Sequence, residues 1–379
     1  MSNSPSATAA SSSAAAAAVD DYDSDGEAEP EESDDDLVVS SDDDDDDGNG
    51  SSDDDGGTSD EDVFFRAARD IQNRTSRNAG TAAMEDRRFR ELFGTSISII
   101  LQVWHMMDDG GLLPEKTKPK HLLWTLYFMK VYPREAPACS AVGGSGGAVD
   151  PKTLRKWVWL IMERIAELAD DVVSNIFLSA LTSTIILSPP TFTAAQIVFE
   201  SRLGAHDVGN DCLMSIDGTD FRILQKGAAT RGNAFGSHKY AGKSALRYEL
   251  GIDILAGNLV WVSGPYPAGK WNDIKIFMNE LAHCLEPGER VEADNGYVGH
   301  ADKIKCPNND CNPTENLAMQ ARVRSRHETF NGRLKNWGIL EQVYRHDITA
   351  HGTVFYACAV ITQLAIDNGE RLFEVEYED

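Results

Sequence analysis

The first 62 residues carry charge of one sign only. They contain 23 Asp and Glu and no Lys or Arg, with an unbroken run from Asp42 to Asp47. Such a stretch, built otherwise from Ser, Ala and Gly, has too little apolar surface to offset the entropy lost on ordering. Residues 1–62 are therefore expected as a disordered acidic tail, and the fold must come from the rest. The formal net charge of −26 belongs to this tail; without it 38 acids face 35 bases. The acidity of the whole chain thus does not argue against a nucleic-acid partner for the folded part. Ser24, Ser33 and Ser41 stand before acids and could accept phosphate from an acid-directed kinase; a solvated spacer is the simpler reading.

The Ala14–Ala18 run has no basic start and is followed at once by acids, unlike a signal peptide. No stretch reaches ~18 consecutive apolar residues, so no membrane span is expected. Cys139, Cys212, Cys284, Cys306, Cys311 and Cys358 are scattered and are expected as reduced thiols. Cys306 and Cys311 flank four residues, but two ligands do not complete a zinc site.

Residues 63–200 read as helical. Phe89, Leu92, Phe93, Ile97 and Ile100 recur at helical spacing. An apolar run from His121 to Val131 is followed by a Pro- and Gly-rich loop from Pro133 to Gly147. Asp150-Pro151 then predicts a helix start, with Asp as N-cap and Pro at the first position. Helix, loop and capped helix are the outline of a helix-turn-helix, whose second helix would present Lys152, Arg155 and Lys156 to DNA. A plain helical hairpin fits the same residues.

Residues 201–379 change character. Strands are predicted at 212–216, 247–254, 259–263 and 290–293, with a hairpin turn at Ala256-Gly257-Asn258. Asn272 or Asp273 caps a short helix, and longer helices follow near 316–336 and 352–369. Asp217-Gly218-Thr219 and Asp294-Asn295-Gly296-Tyr297 each read as a strand ending in Asp before a Gly-containing turn. Glu328 lies on the 316–336 helix with Arg324 one turn before it and Lys335 two turns after. Two strand-end aspartates and a helix glutamate form a carboxylate set suited to two divalent cations. Asp273 is the rival for the second position, or else only a helix cap. His238, Lys239, Lys243 and Arg247 could contact phosphates or form an ordinary solvated loop.

These residues carry a resemblance. Asp217-Gly218-Thr219, Asn272-Asp273, Asp294-Asn295-Gly296-Tyr297, and Glu328 before Gly332-Arg333-Leu334-Lys335 are similar, in order and spacing, to the motifs of PIF/Harbinger-type DDE transposases and their nuclease-like relatives. The similarity spans roughly residues 85–377. It implies a ribonuclease-H-like α/β catalytic domain after a helical, helix-turn-helix-like domain, and the predicted element order suits that sheet. It implies Asp217, Asp294 and Glu328 as catalytic metal ligands for two Mg²⁺ or Mn²⁺ ions, with Asp273 as an additional candidate. Lys152, Arg155, Lys156, Arg324, Arg333 and Lys335 become candidate nucleic-acid contacts. Arg324 and Lys335 match the basic positions of a related Arg-x3-Glu-x6-Lys signature, but Ala321 stands where some families have tyrosine. The implied activity is metal-dependent cleavage and joining of DNA strands. The implied partners are DNA, a Myb-like protein and further copies of the chain, in the nucleus and away from membranes. The alternatives are a domesticated DNA-binding or scaffold protein without catalysis, and a nuclease acting on RNA.

Overall fold

The computed structural model describes residues 59–72, 82–174, 212–224, 234–254, 257–285, 287–307, 316–370 and 372. The acidic tail to residue 58 lies outside them, as do Cys311 and Ala256. The expected tail boundary at 62 moves back. Ser59 caps a first helix, α1 (Asp60–Ile71), by accepting from the Asp62 backbone N–H. Asp60, Glu61 and Asp62 fill its first turn, where the helix dipole favours negative charge.

Helices continue as α2 (Ala82–Phe93), α3 (Ile97–Asp109), α4 (Pro119–Val131), α5 (Glu135–Val142), α6 (Pro151–Glu167) and α7 (Ala169–Ser174). The α6 start is the one expected: Asp150 accepts from the backbone of Lys152 at 2.9 Å and of Thr153 at 3.1 Å. The expected loop from Pro133 to Gly147 instead contains α5. Its proline, Pro137, falls in the first turn, where the missing N–H would have no helical partner anyway. Gly143 and Gly144 close the helix, the latter at φ +56°. The outline is thus helix, short helix, helix. α6 buries Leu154, Val158, Ile161, Met162 and Ile165 and packs between α4 and the last long helix.

The second half is a five-stranded mixed sheet: β1 (Cys212–Arg222), β2 (Ala245–Asp253), β3 (Leu259–Pro267), β4 (Arg290–Glu292) and β5 (Ile304–Lys305), in the order β3-β2-β1-β4-β5. β1–β2 and β2–β3 are antiparallel; β1–β4 and β4–β5 are parallel. β1 runs six residues beyond its expected end at Ile216, because pairing with β2 is unbroken from Met214 to Arg222. Asp217-Gly218-Thr219 therefore lies within a strand and forms no turn. α8 (Asp273–Asn279) follows β3, and α9 (Asn316–Lys335), α10 (Gly338–Glu341) and α11 (His351–Asp367) follow β5.

Strand alternation gives the sheet two faces. Met214, Ile216, Val260, Phe277, Val291 and Tyr297 form a small core with α8 on one side. Phe221, Tyr248, Leu250 and Ile252 join a larger core on the other, together with α9, α11 and the helices before residue 170. The boundary expected at residue 200 does not separate two cores: Phe93, Met129, Ile161 and Phe355 belong to the same cluster. By composition and length the Ile348–Asp367 segment could cross a membrane, but it is the central helix here, its apolar window 67% buried within the fold.

Candidate functional site

Ser215 on β1 pairs with Glu292 on β4, the last rung of their parallel ladder. Asp217 and Asp294 each follow that rung by two residues. Two carboxylates 77 positions apart in sequence therefore stand side by side, just past the last rung of the parallel β1–β4 ladder. Asp217 stays paired to β2 opposite Leu250, so it ends the β1–β4 ladder without ending its own strand.

α9 lies across this end of β1. His327 Nδ1 is 3.2 Å from Ser215 Oγ, and Asn331 Nδ2 donates to Asp217 Oδ2 at 2.9 Å. Val323, Phe330 and Leu334 are buried on the same side. Burial pushes the His327 pKa down to about 3, so its imidazole is neutral. One residue on, about 100° round the helix, Glu328 is exposed at the mouth of a cleft of about 520 Å³. Asp217, Asp294, Glu328, Glu292, Arg324 and His327 line it. Burial first, then the charges of Asp294 and Glu328, raise the Asp217 pKa to about 7. The three acids singled out in the sequence thus share one cleft and one electrostatic field. Among the described residues, no three His, Cys, Asp or Glu side chains stand close enough as placed to hold a metal ion.

The Asp294 turn is anchored from beneath. Asp294 Oδ1 accepts from the Gly296 backbone at 2.7 Å and caps the short turn Asn295–Tyr297. Tyr297 points into the small core, and its hydroxyl donates to Glu249 Oε2 at 3.3 Å. Trp261 Nε1 holds the other Glu249 oxygen at 3.2 Å.

Of the two residues expected to cap α8, Asp273 is not the cap. Asn272 takes the cap position with extended backbone, and no cap hydrogen bond forms there. The Asp273 carboxylate instead meets Arg247 Nη1 at 3.1 Å, and Arg247 is also bidentate to Asp220 at 2.6 and 3.0 Å. A Cβ on Gly218 would lie 2.0 Å from Asp273 Oδ1, and one on Gly296 3.3 Å from Oδ2. The glycines of both motifs thus leave the space this carboxylate occupies. Because Gly218 points away from the face of Asp217, Asp273 reaches β1 on the side opposite Asn331.

The basic candidates divide. Arg324 lines the cleft with Nη1 4.0 Å from Glu292 Oε1. Lys335 is half-buried; burial and Lys239 lower its pKa, while Glu328 and Asp217 oppose that shift. Lys239 also acts on Asp217, so it belongs to the site's field, whereas His238 and Lys243 are exposed turn residues. Arg333 turns away, donating to the Glu370 carbonyl. Lys152, Arg155 and Lys156 are exposed on α6 and line no part of the cleft, and Arg155 is ion-paired to Glu135 at 2.6 Å.

Sequence reasoning passed over Glu292, Glu249 and Asn331, and weighed His327 only as a zinc ligand beside Cys306, Cys311 and His300. Glu292 had a signal, standing two residues before Asp294 and so on the same strand face. Glu249 had another, as an acid set between Tyr248 and Leu250 in a mostly apolar strand. Comparisons of the chain with protein-family models, curated proteins and solved structures find no match.

Proposed function

We propose that this chain is a metal-dependent DNA-cleaving enzyme of the PIF/Harbinger DDE transposase type, built on a ribonuclease-H-like sheet. The observation that carries this reading is the cleft that gathers Asp217, Asp294 and Glu328 from β1, the turn after β4, and α9. The strand order β3-β2-β1-β4-β5, with only β2 running against its neighbours β1 and β3, supports the fold assignment. Three oxygen donors of like charge, one with its pKa raised by burial and then by the other two, have the chemistry that divalent cations relieve. Asp217, Asp294 and Glu328 would hold two Mg²⁺ or Mn²⁺ ions, which supply Lewis-acid activation of phosphodiester oxygens. The chain's own contribution is positional. Asn331 orients Asp217, Gly296 and Tyr297 fix the Asp294 turn, and Arg324 and Lys335 offset phosphate charge. Hydrolysis of the phosphodiester would leave a 3′-hydroxyl and a 5′-phosphate; attack of that 3′-hydroxyl on a target phosphodiester would form the new bond and release the target's own 3′-hydroxyl. A Myb-like partner, self-association and a nuclear location follow from the same resemblance.

The domesticated, non-catalytic reading is favoured by one observation. One oxygen each of Asp217 and Asp294 is already engaged within the chain, and the acids as placed do not form a coordinating group. Cleavage decides between them. Purified chain is incubated with DNA carrying the element's ends, with Mn²⁺ or Mg²⁺ and with chelator, alone and with the Myb-like partner. Glu328→Gln keeps the shape and removes the charge, so its melting temperature should stay within a few degrees while cleavage falls by at least ~100-fold. Equal cleavage by the two proteins, or cleavage that survives chelator, would discard the metal-dependent reading.

A further inference from the structure

A second cavity, of about 310 Å³, lies between α4, α6 and residues 345–346, and shares no lining residue with the carboxylate cleft. Three aromatic rings stand in its wall beside Pro133, Leu154 and Val158. Trp159 meets His346 edge-on at 5.1 Å between centroids, and Phe128 stands 5.7 Å from His346 and 6.5 Å from Trp159. Its rim carries Arg134, Arg155 and Arg345 against a single acid, Glu135. Two of these arginines are fixed in place. Arg155 is held by Glu135, and Arg345 lies 4.1 Å over the Tyr132 ring while donating to the Tyr132 carbonyl at 2.6 Å.

The cavity also continues a pattern on α6. Lys152, Arg155 and Lys156 occupy one stripe at helical spacing, and the next position on that stripe is Trp159. A row of cations therefore leads into an aromatic pocket. That combination tracks the phosphates of a nucleic-acid strand and takes a base by stacking. The net positive rim excludes a cationic ligand. The volume lies at the lower end of the ~300–1,000 Å³ of ligand pockets, room for one ring system and not a base pair.

We propose that this cavity receives a single unpaired nucleobase, with the strand's phosphates lying along the α6 cations. The site lies outside the carboxylate cleft and requires no metal, so it goes beyond the cleavage reading and can be tested apart from it. An unpaired base that stacks here would fix the register of a strand on the helical face.

The test uses the full chain in chelator. It binds a single-stranded oligonucleotide bearing one 2-aminopurine, or the same strand with an abasic site at that position. The wild type should change 2-aminopurine emission on binding and should bind the abasic strand about 5- to 150-fold more weakly, the span of one stacked base. Trp159→Phe should keep that preference. Trp159→Ala should lose it while binding the abasic strand as the wild type does; its melting curve checks the fold. Equal binding of the two strands by wild type with unchanged emission, including no binding of either, would overturn the proposal. So would displacement of the 2-aminopurine strand by an Asp-flanked tyrosine peptide at lower concentration than by dAMP, which would assign the pocket to a protein partner. Because Glu328→Gln should leave base-dependent binding intact and Trp159→Ala should leave metal dependence intact, failure of one reading is distinguishable from failure of the other.

Discussion

Glu249 is fully buried on β2, with Trp261 Nε1 and the Tyr297 hydroxyl as its partners. Burial is the larger influence and raises its pKa to about 8, against the two hydrogen bonds, which lower it. The sign of the consequence follows. Below the ordinary value of 4.5 both folded and unfolded chains carry the proton. Between 4.5 and about 8 the unfolded chain releases it and the fold keeps it, so this residue makes stability fall as pH rises, with the full penalty present above about 8. Glu249→Gln removes the titration and keeps the shape: its amide can accept from Trp261 and donate to the Tyr297 oxygen. The variant should therefore lie close to the wild type near pH 5 and exceed it at pH 8 by on the order of 4 kcal/mol. Urea unfolding at the two pH values measures this, and a gap that is the same at both would refute it. At this scale the sequence was legible where a residue type has one use, as at the Asp150 cap. It was opaque where a side chain's meaning depends on what lies behind it. Nothing local told Asp273, an ion-pair partner of Arg247, from an Asp that caps a helix.

The elements β1 and α8 meet through a missing side chain. Gly218 was read as a turn residue, because Asp-Gly is a strong turn signal when only neighbours in sequence are visible. In the fold, β2 pairs through this position, and tertiary pairing overrides the local preference. The glycine serves packing instead, since a Cβ there would sit 2.0 Å from the Asp273 carboxylate. Gly218→Ala should destabilise the protein by about 1–3 kcal/mol, the usual penalty for overfilling a packed site. Adding Asp273→Ala removes the obstacle and leaves Arg247 its pairing with Asp220. The double variant should thus be more stable than the sum of the two single effects by at least ~1 kcal/mol. Strict additivity in a double-mutant cycle would mean that the two positions do not meet. β2, β3 and the helix at 351–367 were legible because their apolar runs are long, whereas the helix at 316–335 was legible only through the one- and two-turn spacing of Arg324, Glu328 and Lys335. β5 was missed because two residues carry no periodicity.

At the scale of the whole molecule, a change from helical to strand pattern near residue 200 divides the sequence into a helical region and a sheet region. Apolar periodicity reports which face of an element is buried, but not which partner buries it. The larger core mixes both halves: Phe93, Leu126, Met129 and Ile161 from the first, and Phe221, Tyr248, Leu250 and Phe355 from the second. α11 is the link, buried almost throughout its length and packed against α6, α3 and β3. A fragment spanning residues 201–379 would keep the carboxylate residues and lose the helices that cover α11. Val354, Phe355, Val360 and Ile361 are each at most 1% exposed in the intact chain; at least part of this surface would meet water in the fragment, at about 25 cal/mol per Å² of apolar area exposed. Such a loss is large beside the 5–15 kcal/mol that typically holds a domain together. The 57–379 segment, which forms one compact unit, should unfold in a single thermal transition with agreeing calorimetric and van't Hoff enthalpies. The 201–379 fragment should show no cooperative transition and should bind a hydrophobic dye strongly. A fragment that melts sharply at its own temperature would restore the two-domain picture. The helical half would then be an addition to the sheet and not a wall of its core.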